Sequence, residues 1–267
     1  MTNNTAKFNR DIRQAFIEFF SEIITSKIKY EMSSPNYTGP DTVEQYRKNC
    51  LFALTVQPNS SGYATSVISA QRMIERKFSE YYAQSFRHRC VHNLAMSNRT
   101  KFLQPIVITC FDVEGTRYRQ DHGSTSIPHY HGLVLFHHDT TDLFFRRLRY
   151  EALDDGAYRI TRPHSSINSI LLKNIPTEND MSAFLSYSTK YSSILTRTSC
   201  NDSPFNIYPF RSKYFPFWNE YPLLSENVSA PMELDAIAAL AKSLNSSAAP
   251  KPITHASVTD AASNSRA

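Results

Sequence analysis

The stretch Pro128-His129-Tyr130-His131-Gly132-Leu133-Val134-Leu135-Phe136 constrains this chain more than any other. It begins as an alternation of polar and apolar residues and continues as an unbroken apolar run, the pattern of a buried β-strand. Residues two apart on a strand point to the same face, so His129 and His131 present their rings side by side. Neutral imidazole is the commonest metal ligand among side chains, and a same-face pair supplies half of a coordination sphere. A half-exposed pair of strand histidines is the ordinary alternative, so a second feature has to decide.

That second feature is Tyr187-Ser188-Thr189-Lys190-Tyr191. The segment from Thr177 to Leu195 opens after Pro176 with Thr177 and, three residues on, Asp180, which resembles a capping box. Met181, Phe184, Leu185, Tyr191, Ile194 and Leu195 then recur at helical spacing. Tyr187 falls on the flank of that stripe, with Lys190 one turn away on the same side. A phenol with an ordinary pKa of about 10 is a poor nucleophile at neutral pH. A neighbouring ammonium and a metal-polarised phosphate would each ease its attack. Tyr191 suits a core position as well as it suits chemistry.

The His-Tyr-His strand followed by a helical Tyr-x-x-Lys resembles the rolling-circle replication initiators of the HUH endonuclease superfamily. The matching residues are His129, Tyr130 and His131, then Tyr187, Lys190 and Tyr191, the last pair corresponding to the two-tyrosine arrangement. Phe52-Ala53-Leu54-Thr55-Val56 is similar to the family's first motif, an apolar strand ending near Thr. The resemblance spans roughly residues 50 to 195. It implies an α+β fold: an RRM-like antiparallel sheet that carries the histidines centrally, with helices packed on it.

The resemblance also implies the chemistry. Tyr187 would attack a phosphodiester of single-stranded origin DNA, leaving a 5′-phosphotyrosine and a free 3′-hydroxyl that primes rolling-circle replication of a plasmid, phage or integrated element. A divalent cation held by His129, His131 and a carboxylate would polarise the phosphate. Two imidazoles and one carboxylate suit Mn²⁺ and tolerate Mg²⁺. Lys190 would position phosphate or stabilise the phenolate, and Tyr191 would be a second nucleophile. If residues 106–114 and 127–136 form a hairpin centred near Gln120–His122, opposed residues sum to about 243. Glu114 then faces His129 and is the first choice for the third ligand, with Asp112 opposite His131 the second and His122 a further alternative.

Composition fits this reading without carrying it. The 267 residues hold one large domain with extensions, and the net charge of +5 is compatible with a phosphate-rich partner. Cys50, Cys90, Cys110 and Cys200 form no Cys-x-x-Cys pair, which argues against a zinc ribbon or disulfide framework. No secretory signal or long apolar run stands out, so a cytoplasmic protein without membrane attachment is expected. No phosphate-binding G-x-x-x-x-G-K-[ST] occurs, so no nucleotide cofactor is expected, and a separate host helicase and polymerase would have to cooperate.

Along the chain, a helix is expected over 8–32, a strand over 51–57, a long helix over 64–96, strands over 106–114 and 127–136, a helix over 141–153 and a strand within 167–175. The core order is βαββαβα, which closes into an antiparallel sheet with helices on one face. Residues 1–45 form a helical extension, 46–200 the nuclease core, 201–227 an aromatic wrapping segment, and 228–267 a short helix and disordered tail. Arg117 and Arg119, beside Tyr118 in the hairpin loop, together with Arg146 and Arg147, are candidates for binding DNA. A mobilisation relaxase or single-strand transposase would use the same residue types. In relaxases, however, the tyrosine typically precedes the histidines. A non-catalytic nucleic-acid-binding module on an RRM-like sheet is the alternative from another class.

Overall fold

The computed structural model describes residues 3–59, 67–91, 102–113, 128–165, 167–190 and 205–209. Its centre is a seven-stranded, wholly antiparallel sheet. The strands are β1 (Leu51–Pro58), β2 (Ile106–Val113), β3 (Pro128–Leu135), β4 (Glu151–Ala152), β5 (Ala157–His164), β6 (Ile167–Asn174) and β7 (Phe205–Tyr208). Their spatial order is β4-β5-β6-β1-β3-β2-β7. The histidine strand β3 thus lies between β1 and β2, paired on both edges.

The central strands are apolar on both faces, and that dictates the layering. In β1, Leu51 and Ala53 enter one core cluster while Phe52, Leu54 and Val56 enter another. A strand buried on both sides reads as a continuous apolar run, and each face needs its own cover. One cover is α1 (Asn3–Met32) with α2 (Val43–Cys50) and a late helix. Phe16, Phe19, Phe20, Ile23, Ile24 and Ile28 of α1 form a buried stripe at helical spacing. Phe20 meets Phe205 of β7 edge-on, ring centres 5.0 Å apart.

The opposite face is covered by one continuous helical rod: α3 (Val67–Tyr81), a π-helical segment (Tyr82–Phe86) and α4 (Arg87–Cys90), joined by α5 (His138–Arg146). Tyr130, the middle residue of His-Tyr-His, points into this layer and packs edge-on against Phe78 at 6.1 Å. The expectation of helices on one face is therefore corrected: helices cover both.

Element boundaries moved for local reasons. The rod expected over 64–96 ends at Cys90, where Val91 turns extended. The helix expected over 141–153 occupies 138–146 instead. It starts one residue after His137, whose Nδ1 accepts the backbone N–H of Asp139 as a cap. Residues 151–152 and 157–164 then form a hairpin, turning at Gly156 with φ +78°, a left-handed conformation that suits glycine. Within the expected wrapping segment, 205–208 is a strand paired with β2.

The last helix, α6 (Glu178–Ser188), begins as its sequence indicates. Thr177 Oγ1 accepts the Asp180 N–H at 3.1 Å and donates to the Asp180 carboxylate at 2.6 Å. Its last turn closes at Thr189, with φ −89° and ψ 0°, and there the Ser188 and Thr189 hydroxyls bond back to the carbonyls of Phe184 and Leu185. Tyr187 therefore stands in the final helical turn and Lys190 just past it.

Candidate metal centre and tyrosine

Three strands build the site from their facing residues. His129 lies opposite Asp112, and His131 lies between Cys110 of β2 and Thr55 of β1. All these side chains leave the sheet on the α1/α6 face, because Cys110 and Leu133, two residues along from Asp112 and His131, belong to that core. The observed strands pair residues that sum to 241, a register two residues from the 243 expected of a turn centred near Gln120–His122, which keeps the same faces together. That shift makes Asp112 the partner of His129. Glu114 and His122 lie outside the described residues.

The three groups converge. Nε2 of His129 and Nε2 of His131 are 3.0 Å apart. Asp112 Oδ2 lies 3.7 Å from the first and 3.6 Å from the second. The two carboxylate distances are too long for hydrogen bonds. They fit donors sharing one cation, since metal–ligand bonds of about 2.0–2.2 Å place neighbouring ligands roughly 3–3.6 Å apart. Asp112 is 1 % exposed, His131 is buried and His129 is half-buried, so the cluster opens on the His129 side. The donor set, two imidazole nitrogens and one carboxylate, is chemically suited to a divalent ion, with waters or phosphate completing the sphere.

His131 is prepared for that role by its surroundings. Burial, followed by the neighbouring His129, pushes its pKa below the ordinary value and keeps the ring neutral. Thr55 Oγ1 sits 3.0 Å from Nδ1. A cation bound at Nε2 would leave the proton on Nδ1, which would then donate to Thr55 and so fix both tautomer and ring orientation.

The late helix brings its tyrosine to this cluster. The Tyr187 ring meets the His131 ring edge-on with centres 4.9 Å apart, and it is 37 % exposed. Lys190 joins the two parts: its Nζ is 3.1 Å from Asp112 Oδ2 and 4.3 Å from the centre of the Tyr187 ring. An ammonium over a phenol face, beside a buried carboxylate, is held by both.

The other expected residues are distributed differently. Tyr191, Arg117 and Arg119 lie outside the described residues. Arg146 and Arg147 stand at the end of α5, on the face opposite the histidines. Arg147 donates to the Arg89 carbonyl at 3.2 Å while Arg89 donates to the Arg147 carbonyl at 2.7 Å, a reciprocal clasp that ties α4 to α5. Thr55 was read only as the end of an apolar strand. Its pairing with His131 emerges only when β1 is set in register.

No family model, curated protein or solved structure matches this chain. No helix among the described residues is long and apolar enough to cross a membrane.

Proposed function

We propose that this chain nicks and rejoins single-stranded DNA at a replication origin through a phosphotyrosine intermediate, initiating rolling-circle replication. The observation that carries the reading is the meeting of Tyr187, from the end of α6, with Asp112, His129 and His131 at the end of the sheet, bridged by Lys190. Two motifs more than fifty positions apart converge on one partly open site that combines a phenol, an ammonium and an Asp-His-His donor set, the parts a metal-assisted phosphoryl transfer needs.

In this reading Tyr187 Oη attacks the scissile phosphorus. The P–O(Tyr) bond forms as the P–O3′ bond breaks, and the phenolic proton ends on the departing 3′ oxygen by way of solvent. The products are a 5′-phosphotyrosine and a 3′-hydroxyl. Lys190 stabilises the phenolate as it develops and offers its ammonium to a non-bridging phosphate oxygen. A divalent cation bound by Asp112, His129 and His131 would supply Lewis-acid polarisation of the phosphate. Attack by a 3′-hydroxyl on the phosphotyrosine reverses the step, and because the bond energy is kept in the ester no nucleotide is consumed.

The test uses single-stranded oligonucleotides tiled across the parent replicon, labelled at the 3′ end and incubated with protein and Mn²⁺ before denaturing electrophoresis. A labelled protein–DNA adduct that disappears with Tyr187→Phe and with His131→Ala is expected. Retained DNA binding with no adduct under any metal condition would overturn the proposal and leave a binding module.

A further inference from the structure

A second group of potential ligands sits away from the nicking residues, where the C-terminal end of α1 meets the junction between β3 and α5. Glu31, His137 and His138 each offer one donor atom, all within 4.8 Å of one another. Glu31 and His137 are buried and His138 is nearly so. Glu31 Oε2 lies 3.7 Å from His137 Nε2, again too far for a hydrogen bond and suitable for two ligands of one ion.

His138 makes the point sharper. Both ring nitrogens are shielded from solvent, and neither has a hydrogen-bond partner among the described residues. Its Nε2 is 3.2 Å from Asp139 Oδ1, close in distance but outside hydrogen-bond geometry. Aromatic rings wall it in, Tyr37 edge-on at 4.7 Å and Tyr46 at 6.0 Å. An imidazole in such a place calls for a physical explanation, and a bound ion is one.

Other charges around the group leave room for a cation. Lys27 Nζ pairs with the other carboxylate oxygen of Glu31, Oε1, at 2.7 Å. The Tyr46 hydroxyl donates to Oε2, which has a second lone pair. Against the single positive charge of Lys27 stand two carboxylates, Glu31 and the exposed Asp139, the latter with Oδ2 3.7 Å from His137 Nδ1. With His137 Nδ1 accepting the Asp139 N–H, the neutral ring carries its proton on Nε2; a cation bound at Nε2 would move that proton to Nδ1, where Asp139 Oδ2 faces it at 3.7 Å.

We infer that Glu31, His137 and His138 form a second divalent-metal site, a zinc-type structural centre that fastens the end of α1 to the sheet. Two imidazoles and a carboxylate suit Zn²⁺, with Asp139 or water at the fourth position. Its place under α1, away from Tyr187, gives it a role in folding rather than in phosphoryl transfer.

The experiment titrates Co²⁺ and Zn²⁺ into full-length protein carrying His129→Ala and His131→Ala, so that only the second site can respond. One equivalent of Co²⁺ with visible d–d absorption is expected, along with a rise in Tm on adding Zn²⁺. Adding His138→Asn should weaken binding by more than about tenfold and abolish the Tm response. A folded double-alanine protein that binds no metal, or binding indifferent to His138→Asn, would overturn the inference. If the double-alanine chain does not fold, stoichiometry in the otherwise unaltered protein decides. Two Co²⁺ equivalents falling to one with His138→Asn support the second site, and an unchanged count refutes it.

Discussion

Thr55 tests whether the Asp-His-His cluster is built to hold a cation or merely packed. Thr55→Val is nearly isosteric and removes one thing, the acceptor 3.0 Å from His131 Nδ1. The ring is buried, so its N–H would be left without a partner at a cost of about 1–3 kcal/mol. The added methyl recovers less than about 1 kcal/mol of that by apolar contact. Metal affinity is the more telling quantity. Losing the partner that orients a ligating imidazole costs about 10–100-fold, or about 1.4–2.7 kcal/mol.

The assay is Mn²⁺ binding followed by calorimetry or by the spin-resonance signal of free ion, beside urea unfolding of the metal-free protein. Thr55→Ser keeps the hydroxyl and should restore affinity to within about threefold of the parent, even if it packs slightly worse. A purely structural threonine would give a stability loss with an unchanged Mn²⁺ Kd. That result, or a serine variant as weak as the valine one, would refute the positioning argument.

Three further outcomes follow from the same geometry. Lys190→Met takes away the cation 3.1 Å from Asp112, so Mn²⁺ should bind several-fold tighter while adduct formation slows by about 10-fold or more, two effects of opposite sign. In EDTA, stability should fall on acidification from pH 7 to 5. Burial holds His137 at about 3 and lowers His131 too, whereas both titrate near 6.5 when unfolded. The unfolded chain therefore takes up more protons as pH falls below that value, at a limiting slope of about 1.4 kcal/mol per pH unit for each histidine. A flat urea midpoint over that range contradicts this. Gly132→Ala should lower Tm sharply and weaken Mn²⁺ binding, because an added Cβ would come within 1.8 Å of the Ile108 carbonyl oxygen and force β2, with Asp112, away from β3.

How much of this was legible beforehand depends on the range of the forces involved. Helix α1, strands β1, β3 and β6 and the start of α6 follow from periodicity and capping, interactions spanning a few residues. The face shared by His129 and His131 is equally local. The third ligand was not: it depends on hairpin register across 114–127, and a one-step displacement of the turn exchanges Glu114 for Asp112 opposite His129. Strand β5 is not legible in the sequence because Arg159, Thr161, Arg162 and Pro163 interrupt its apolar pattern; pairing with β6 on one edge and β4 on the other, across the turn at Gly156, sustains it. Glu31 and His137 lie 106 positions apart and carry no local signature that joins them, although the adjacent pair His137-His138 was visible.

The layering also bears on what the sheet can offer to nucleic acid. An open RRM-type sheet binds single strands by stacking bases on aromatic residues of an exposed face. Here α1 and α6 cover one face and the α3–α4 rod with α5 covers the other, and β1 and β3 contribute buried residues to both cores. Stacking a base there would require removing a packed helix, whose buried phenylalanines each contribute about 2–3 kcal/mol. The part of the proposed site that is open among the described residues is the end of the β2–β3 pair, where His129 is half-buried and Tyr187 is exposed. A strand of DNA meeting that end arrives at the phenol and the Asp-His-His cluster at the same point. The proposed reading thus gives the covered sheet a purpose, as a rigid frame holding donors from three elements within bonding distance of one phosphate. Replacing the Phe86 side chain, packed in the opposite core against Phe136 and Phe144, with alanine should cost about 3–5 kcal/mol of stability and, in the fraction that remains folded, leave the Mn²⁺ Kd unchanged.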